Sequence, residues 1–160
     1  MSIVIRKSSS ADTRTADHQI TKDELRRSSE MHISDVCEAM DWLGDKVRDA
    51  GVRHDWTKLE NLDEFYDQFH REQVSGKGDW IENPDAWYRA IHLAKERHHL
   101  DHSCPDDVDL VDVMEFIVDG VMAGLARSGK YEWKDIPQEV LQRACRNTAM
   151  KLVDNTVVVK

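Results

Sequence analysis

From Thr21 onward the chain becomes amphipathic at helical spacing, with Leu25, Met31, Val36, Met40, Leu43 and Val47 recurring as far as Gly51. Thr21-x-x-Glu24 reads as a capping box with Ile20 as the staple residue before it, so a helix starts there. Gly51 is a natural C′ residue, and a bend or break is expected near Gly44. A second helical pattern carries Leu62, Phe65, Tyr66 and Phe69 up to a loop at Ser75-Gly76-Lys77-Gly78. Asn83-Pro84 opens a third, with Asn as N-cap and Pro at the first helical position. It is expected to run through Trp87, Ile91 and Ala94 toward His98, before Cys104-Pro105-Asp106-Asp107 breaks the pattern. Residues 108–127 are apolar nearly all round, which marks a buried helix, and Ser128-Gly129 ends it. A last helix is predicted from Pro137 to about Val153. Only Ile3-Val4-Ile5 and Thr156-Val157-Val158-Val159 look extended, and they can pair as a terminal ribbon. The expected fold is therefore all-α, a compact helical bundle with a short two-stranded ribbon. Residues 1–20 read as a flexible arm, 21–155 as the helical domain and 156–160 as a tail.

The 160 residues are enough for one domain with a sizeable core. A net charge of −9 argues against non-specific nucleic-acid binding, which needs a basic footprint. It leaves a small phosphorylated substrate open, because a bound metal inverts the local field. Cys37, Cys104 and Cys145 are odd in number and far apart, so they read as reduced thiols in a cytoplasmic protein. No signal peptide and no 18-residue apolar window is visible, so no membrane partner is expected.

Seven of the eight histidines lie between positions 32 and 102. Among them His54-Asp55 offers a neutral nitrogen and an anionic oxygen from one short stretch of backbone, a pair that suits divalent transition metals. His32, His92, His98, His99 and His102 keep it company. Asp112, Glu115 and Asp119 share one face of the apolar helix. Asp119 stands alone in its apolar run, and a buried carboxylate must be paired or bind metal. The blander readings are a mid-helix His32 that is merely exposed, a His98-His99 pair that complements a helix dipole, and acids that face solvent or form structural ion pairs. Lys58, three residues after Asp55, can approach the same pocket and meet a phosphate oxygen, or else lie exposed beside Glu60. Trp56 and Trp87 are near enough in sequence to wall a base-binding pocket. His18 and His70 read as surface residues. No Gly-rich phosphate loop, nucleophile elbow, H-E-x-x-H or EF-hand loop is present.

A mid-helix His32, then His54-Asp55, then Asp119 on a buried helix resembles the HD-domain metal-dependent phosphohydrolase superfamily. His54-Asp55-Trp56-Thr57-Lys58 is similar to its HD-x-x-K form. Glu64-Phe65-Tyr66, Ala86-Trp87, His92 and His98-His99 resemble a small branch found in phages and bacteria, with an HD-x-[ST]-K segment and a downstream His-His pair. The likeness spans roughly residues 30–122. It implies an HD-type bundle that hydrolyses a phosphate ester, in a nucleotide or related small molecule. It also implies one or two divalent ions among Mn, Fe, Co, Ni, Zn or Mg. His32, His54, Asp55 and Asp119 would hold the first, and Asp55 would bridge to a second held by His92 and His98 or His99. Asp55 and Lys58 would be catalytic, and Lys58, Trp56 and Trp87 would meet substrate. The Gly-Tyr-Pro signature is absent, so cyclic-di-GMP specificity is not implied, and Asp112 is the alternative to Asp119. A different class stays open beside the enzyme: a non-catalytic module that binds a nucleotide or a protein partner. A purely structural helical protein with surface histidines is the third.

Overall fold

The computed structural model describes residues 2–6, 18–76, 83–100, 104–131 and 134–159. Most of the expected arm, together with Lys77, Gly78, Trp80, His102 and Trp133, lies outside the described residues. The chain is mainly α-helical. Strand β1 (Ile3–Arg6) precedes helix α1 (Lys22–Arg53), α2 (Trp56–Glu60) and α3 (Leu62–Ser75). A π-helical turn (Tyr88–His92) leads into α4 (Leu93–Lys95), followed by α5 (Leu110–Ser128), α6 (Gln138–Asn155) and strand β2 (Thr156–Val159). The terminal ribbon forms as expected, and β1 and β2 run parallel with Ile3 opposite Thr156. Residues 3–6 of the expected arm are therefore a strand. Among the described residues, no helix is long and apolar enough to cross a membrane.

The chain divides into two compact units, residues 1–46 with 148–160, and residues 47–147. In the first, the capping box at α1 is present: Glu24 N–H donates to Thr21 Oγ1 at 3.2 Å and Thr21 N–H to Glu24 Oε2 at 2.8 Å. Helix α1 neither bends into two at Gly44 nor ends at Gly51. It continues for 32 residues to Arg53, about 48 Å at 1.5 Å per residue. Gly51 stays right-handed, and the left-handed residue that breaks the helix is Asp55, at φ 58°.

The second unit is built on a core of Leu100, Val108, Val113, Val140 and Ala144, with Phe116 and Ile117 packed against it. Each fully buried aliphatic side chain there contributes roughly 1.5–3 kcal/mol. This cluster fixes α5, and with it the acidic face of α5. Asp109 caps that helix, accepting from the backbone N–H of Val111 (2.7 Å) and Asp112 (3.2 Å), while Asp112 Oδ2 accepts from Asp109 N–H (2.9 Å). Gly129, at φ 68°, closes it. The third predicted helix is shorter than expected. Asn83 forms a turn instead of a helix cap, its Oδ1 accepting from Asp85 N–H at 3.0 Å. The helical stretch stops at Lys95, because Glu96 adopts extended dihedrals.

Candidate metal centre

The end of α1 and the break at Glu96 set the site. His54 and Asp55 form the turn between α1 and α2. Asp55 is the one non-glycine residue with positive φ among those described, a conformation that Asp tolerates better than most residues. Its carboxylate caps nothing on α2 and is free to face the downstream histidines. The chain turns after α4, so His98 and His99 are carried back beside His92 instead of continuing along one helix axis.

Four ligand atoms converge as a result. Asp55, His92, His98 and His99 each bring one nitrogen or oxygen within 4.8 Å of the others. His92 Nε2 lies 3.4 Å from Asp55 Oδ1, His98 Nε2 3.8 Å from the same oxygen, and His99 Nε2 2.8 Å from His92 Nε2. Donors placed tetrahedrally at zinc-like bond lengths stand about 3.4 Å apart. His92 and His98 are fully buried, and Asp55 Oδ1 and His98 Nε2 lack a hydrogen-bond partner. Buried polar atoms without partners are costly, and here they face one another. The residues present therefore fit a divalent cation. Three imidazoles and a carboxylate suit Zn, Fe, Co, Ni or Mn, and disfavour Mg, which takes oxygen ligands.

A second set, His54, His98 and Glu115, adjoins the first. Glu115 Oε1 lies 2.9 Å from His54 Nδ1 and 3.1 Å from His98 Nδ1. One Glu115 oxygen is thus shared by the two imidazoles. Asp119 Oδ1 lies 3.5 Å from His54 Nε2, at the rim of the cluster. Lys58 Nζ forms an ion pair with Asp55 Oδ2.

The electrostatics follow from this crowding. Burial, and then the nearby Lys58 charge, push His92 down to about 4. Burial opposes charging His98, but Glu115, Asp55 and Asp119 outweigh it and raise its pKa. Burial likewise disfavours ionising Asp55, but the Lys58 contact, with His54 and His92, holds its pKa below the usual value. Glu115 is lowered in the same way, burial being overcome by His98 and His54.

Two cavities border the cluster. One of about 240 Å³ is lined mostly by apolar groups, Val47, Ala50, Val111, Val118 and Met122, with His54, Glu115 and Asp119 at its polar side. The other, of about 470 Å³, brings Arg53, Trp56, Lys95 and Arg97 beside Glu96 and Glu115. Lys95 Nζ sits 5.6 Å over the Trp56 ring.

The expected ligands are only partly brought together. His54, Asp55, His92, His98 and His99 meet. His32 is exposed on α1 and is not among them. Asp112 is excluded as the alternative to Asp119, because Arg97 and the capping box occupy both of its oxygens. Trp87 is buried and stacks on His92, with ring centroids 5.7 Å apart, so it backs the site instead of lining an open pocket. Trp56 is partly exposed at the basic cavity. His70 is exposed and stacks on Tyr66.

Thr57 and Glu96 are not among the expected site residues, and Glu115, grouped in the sequence with Asp112 and Asp119, is not among the expected ligands. Glu115 shares a face with Asp119 at spacing 4, and Glu96 follows His92 at spacing 4; that spacing was the available signal. Thr57 is fully buried against His92 and Glu96. No curated protein and no solved structure matches the chain. A family model does, over residues 21–157, and that span covers every residue of both ligand sets. On that match the chain belongs to the family of unknown function DUF5662.

Proposed function

We propose that this protein is a metal-dependent phosphohydrolase acting on a nucleotide or a related small phosphate ester. The observation that carries the reading is the convergence of Asp55 Oδ1 and His98 Nε2, buried and unpartnered, on the ring nitrogens of His92 and His99. A divalent cation held there supplies an activated water and positive charge for a phosphoryl oxygen. Asp55, His92, His98 and His99 would hold it, and His54 and Glu115 offer a place for a second. Lys58, beside Asp55, is placed to meet charge developing on a phosphate. The basic cavity with Trp56, Arg53 and Lys95 suits an anionic ligand carrying an aromatic ring. The HD-type likeness of the His-Asp segment supports the same reaction class. The free cysteines fit a reducing compartment, and we place the protein in the cytoplasm, that of the host if phage-encoded.

The test is element analysis of protein purified without a chelating resin, together with phosphate release from nucleoside mono-, di- and triphosphates and cyclic nucleotides. One equivalent or more of Zn, Fe, Co, Ni or Mn, and turnover lost in Asp55→Asn and His92→Ala, support the reading. Less than about a tenth of an equivalent after reconstitution would sink it, the expected occupancy being near one for a preformed four-ligand site. The Lys58–Asp55 ion pair favours a second reading, a non-catalytic nucleotide-binding or protein-interaction module, because it satisfies one Asp55 oxygen without metal. That reading predicts nucleotide binding with no phosphate release.

A further inference from the structure

Thr57 has its proton assigned by its neighbours. It is fully buried, and both its backbone N–H and its hydroxyl donate to Glu96 Oε1, at 2.9 and 2.8 Å. A carboxylate accepts and has nothing to donate, so the hydroxyl proton points at Glu96. The same Oγ1 lies 2.7 Å from His92 Nδ1. With its only proton committed, the hydroxyl must accept there, and His92 Nδ1 must carry the hydrogen. His92 Nε2 is then a bare lone pair. It is the nitrogen that faces Asp55 Oδ1 and His99 Nε2.

We propose that Thr57 and Glu96 are positioning residues that lock His92 in its Nδ1–H tautomer and so present Nε2 as a ligand. This rests on the metal-centre reading above. The arrangement is economical in sequence: Asp55-x-Thr57 and His92-x-x-x-Glu96 each supply one ligand and one member of the relay. Glu96 stays in place because its N–H also closes the last helical bond, to His92 O at 2.9 Å. The relay is sealed, with His92 and Thr57 at 0% exposure and Glu96 at 4%, so water has little access to substitute for either partner. A consequence follows for metal-free protein. Across the 2.8 Å contact His92 Nε2 accepts, so His99 Nε2 is the donor, and metal entry must displace that hydrogen.

The test uses ¹⁵N-labelled full-length protein, first treated with chelator and then titrated with Zn(II). Long-range ¹H–¹⁵N correlation spectra report which His92 nitrogen carries hydrogen. The expected result is Nδ1–H before and after Zn(II). Thr57→Val should lose this fixed tautomer and bind Zn(II) about 10–100-fold more weakly, while Thr57→Ser keeps both. Far-UV circular dichroism should be unchanged in each. An Nε2–H His92 in the wild type, or a Thr57→Val affinity equal to wild type, overturns the relay alone. No Zn(II) binding by the wild type overturns the metal-centre reading itself. The wild-type tautomer needs no variant, so a Thr57→Val chain that fails to fold leaves the test standing.

Discussion

Arg97 grips Asp112 through both carboxylate oxygens, Nε on Oδ1 and Nη2 on Oδ2, each at 2.8 Å. The Asp112 side chain is almost fully buried, and Arg97 also reaches Asp107. Three residues along the same helix, Glu115 instead faces His54 and His98. Two acids on one face thus do separate jobs. Asp112→Asn should lower stability by roughly 1–3 kcal/mol, discounted because the Arg97 side chain is 40% exposed and can regain water. It should leave metal content unaltered. Glu115→Gln should weaken metal, and because it also removes the charge facing His54 and His98 it should lower the melting point as well, so metal content is what separates the two acids. Thermal melts and metal content measured on both variants decide it, and a loss of metal in Asp112→Asn would mean that the division is wrong.

Lys58 offers a second prediction. Lys58→Ala frees Asp55 Oδ2, so its metal affinity should equal or exceed that of the wild type. Turnover should fall by about 10²–10³, the loss expected for one contact to a developing oxyanion. Lys58→Arg should recover only part, because a planar guanidinium does not reproduce a compact point charge. Wild-type kinetics in the Ala variant would remove Lys58 from the reaction.

A pH dependence follows from the buried histidines of chelator-treated protein. His92 is pushed down to about 4, whereas an unfolded histidine titrates near 6.5. Between those values the unfolded chain binds the extra proton. The stability contributed by neutral His92 is therefore complete above about pH 6.5 and is lost as the pH falls toward 4. His98 is raised, so its contribution is complete below about pH 6.5 and fades as the pH climbs through its folded value. The two windows lie on opposite sides of 6.5, which lets them be read separately. Urea midpoints should drop from pH 6.5 to 4.5, and by less in His92→Gln. Identical slopes in the two proteins would count against the burial effect.

Two glycines of α5 make a matched pair. A Cβ on Gly124 would meet the Lys130 carbonyl oxygen at 2.9 Å, a backbone atom that must move. A Cβ on Gly120 would meet only the Tyr131 ring, at 3.9 Å. Gly120→Ala should stabilise by up to about 1 kcal/mol through helix propensity. Gly124→Ala gains the same term but adds an overpacking cost of roughly 1–3 kcal/mol, so it should be the less stable of the two. Denaturant melts that rank them the other way would show that the 130–131 segment yields freely.

Much of the helical layout was legible from punctuation. Thr21/Glu24, Ser128-Gly129 and Pro137 each mark an end that the structure keeps within a residue or two, because caps are local chemistry. The failures came where a longer-range contact overrode a local signal. Gly51 looked like a stop, but the chain goes on until Asp55 takes the left-handed conformation. His98 was expected on a helix, yet Glu96 leaves the helix to meet Thr57, 39 residues away. The ligand types were readable in His54, Asp55, His92, His98 and His99. His32 stands exposed on α1 and joins neither ligand set, which its mid-helix position alone does not reveal. Glu115 was underrated because its partners come from two distant turns of chain.

The left-handed backbone at Asp55 makes one position answer two demands that no other residue meets together. Asn or Gly would keep the conformation and lose the charge. Glu would keep the charge but displace it by a methylene and fit the dihedrals less well. A saturation scan of the chain should therefore find position 55 intolerant of all nineteen replacements for metal retention, while Asn and Gly alone keep the junction between α1 and α2 folded.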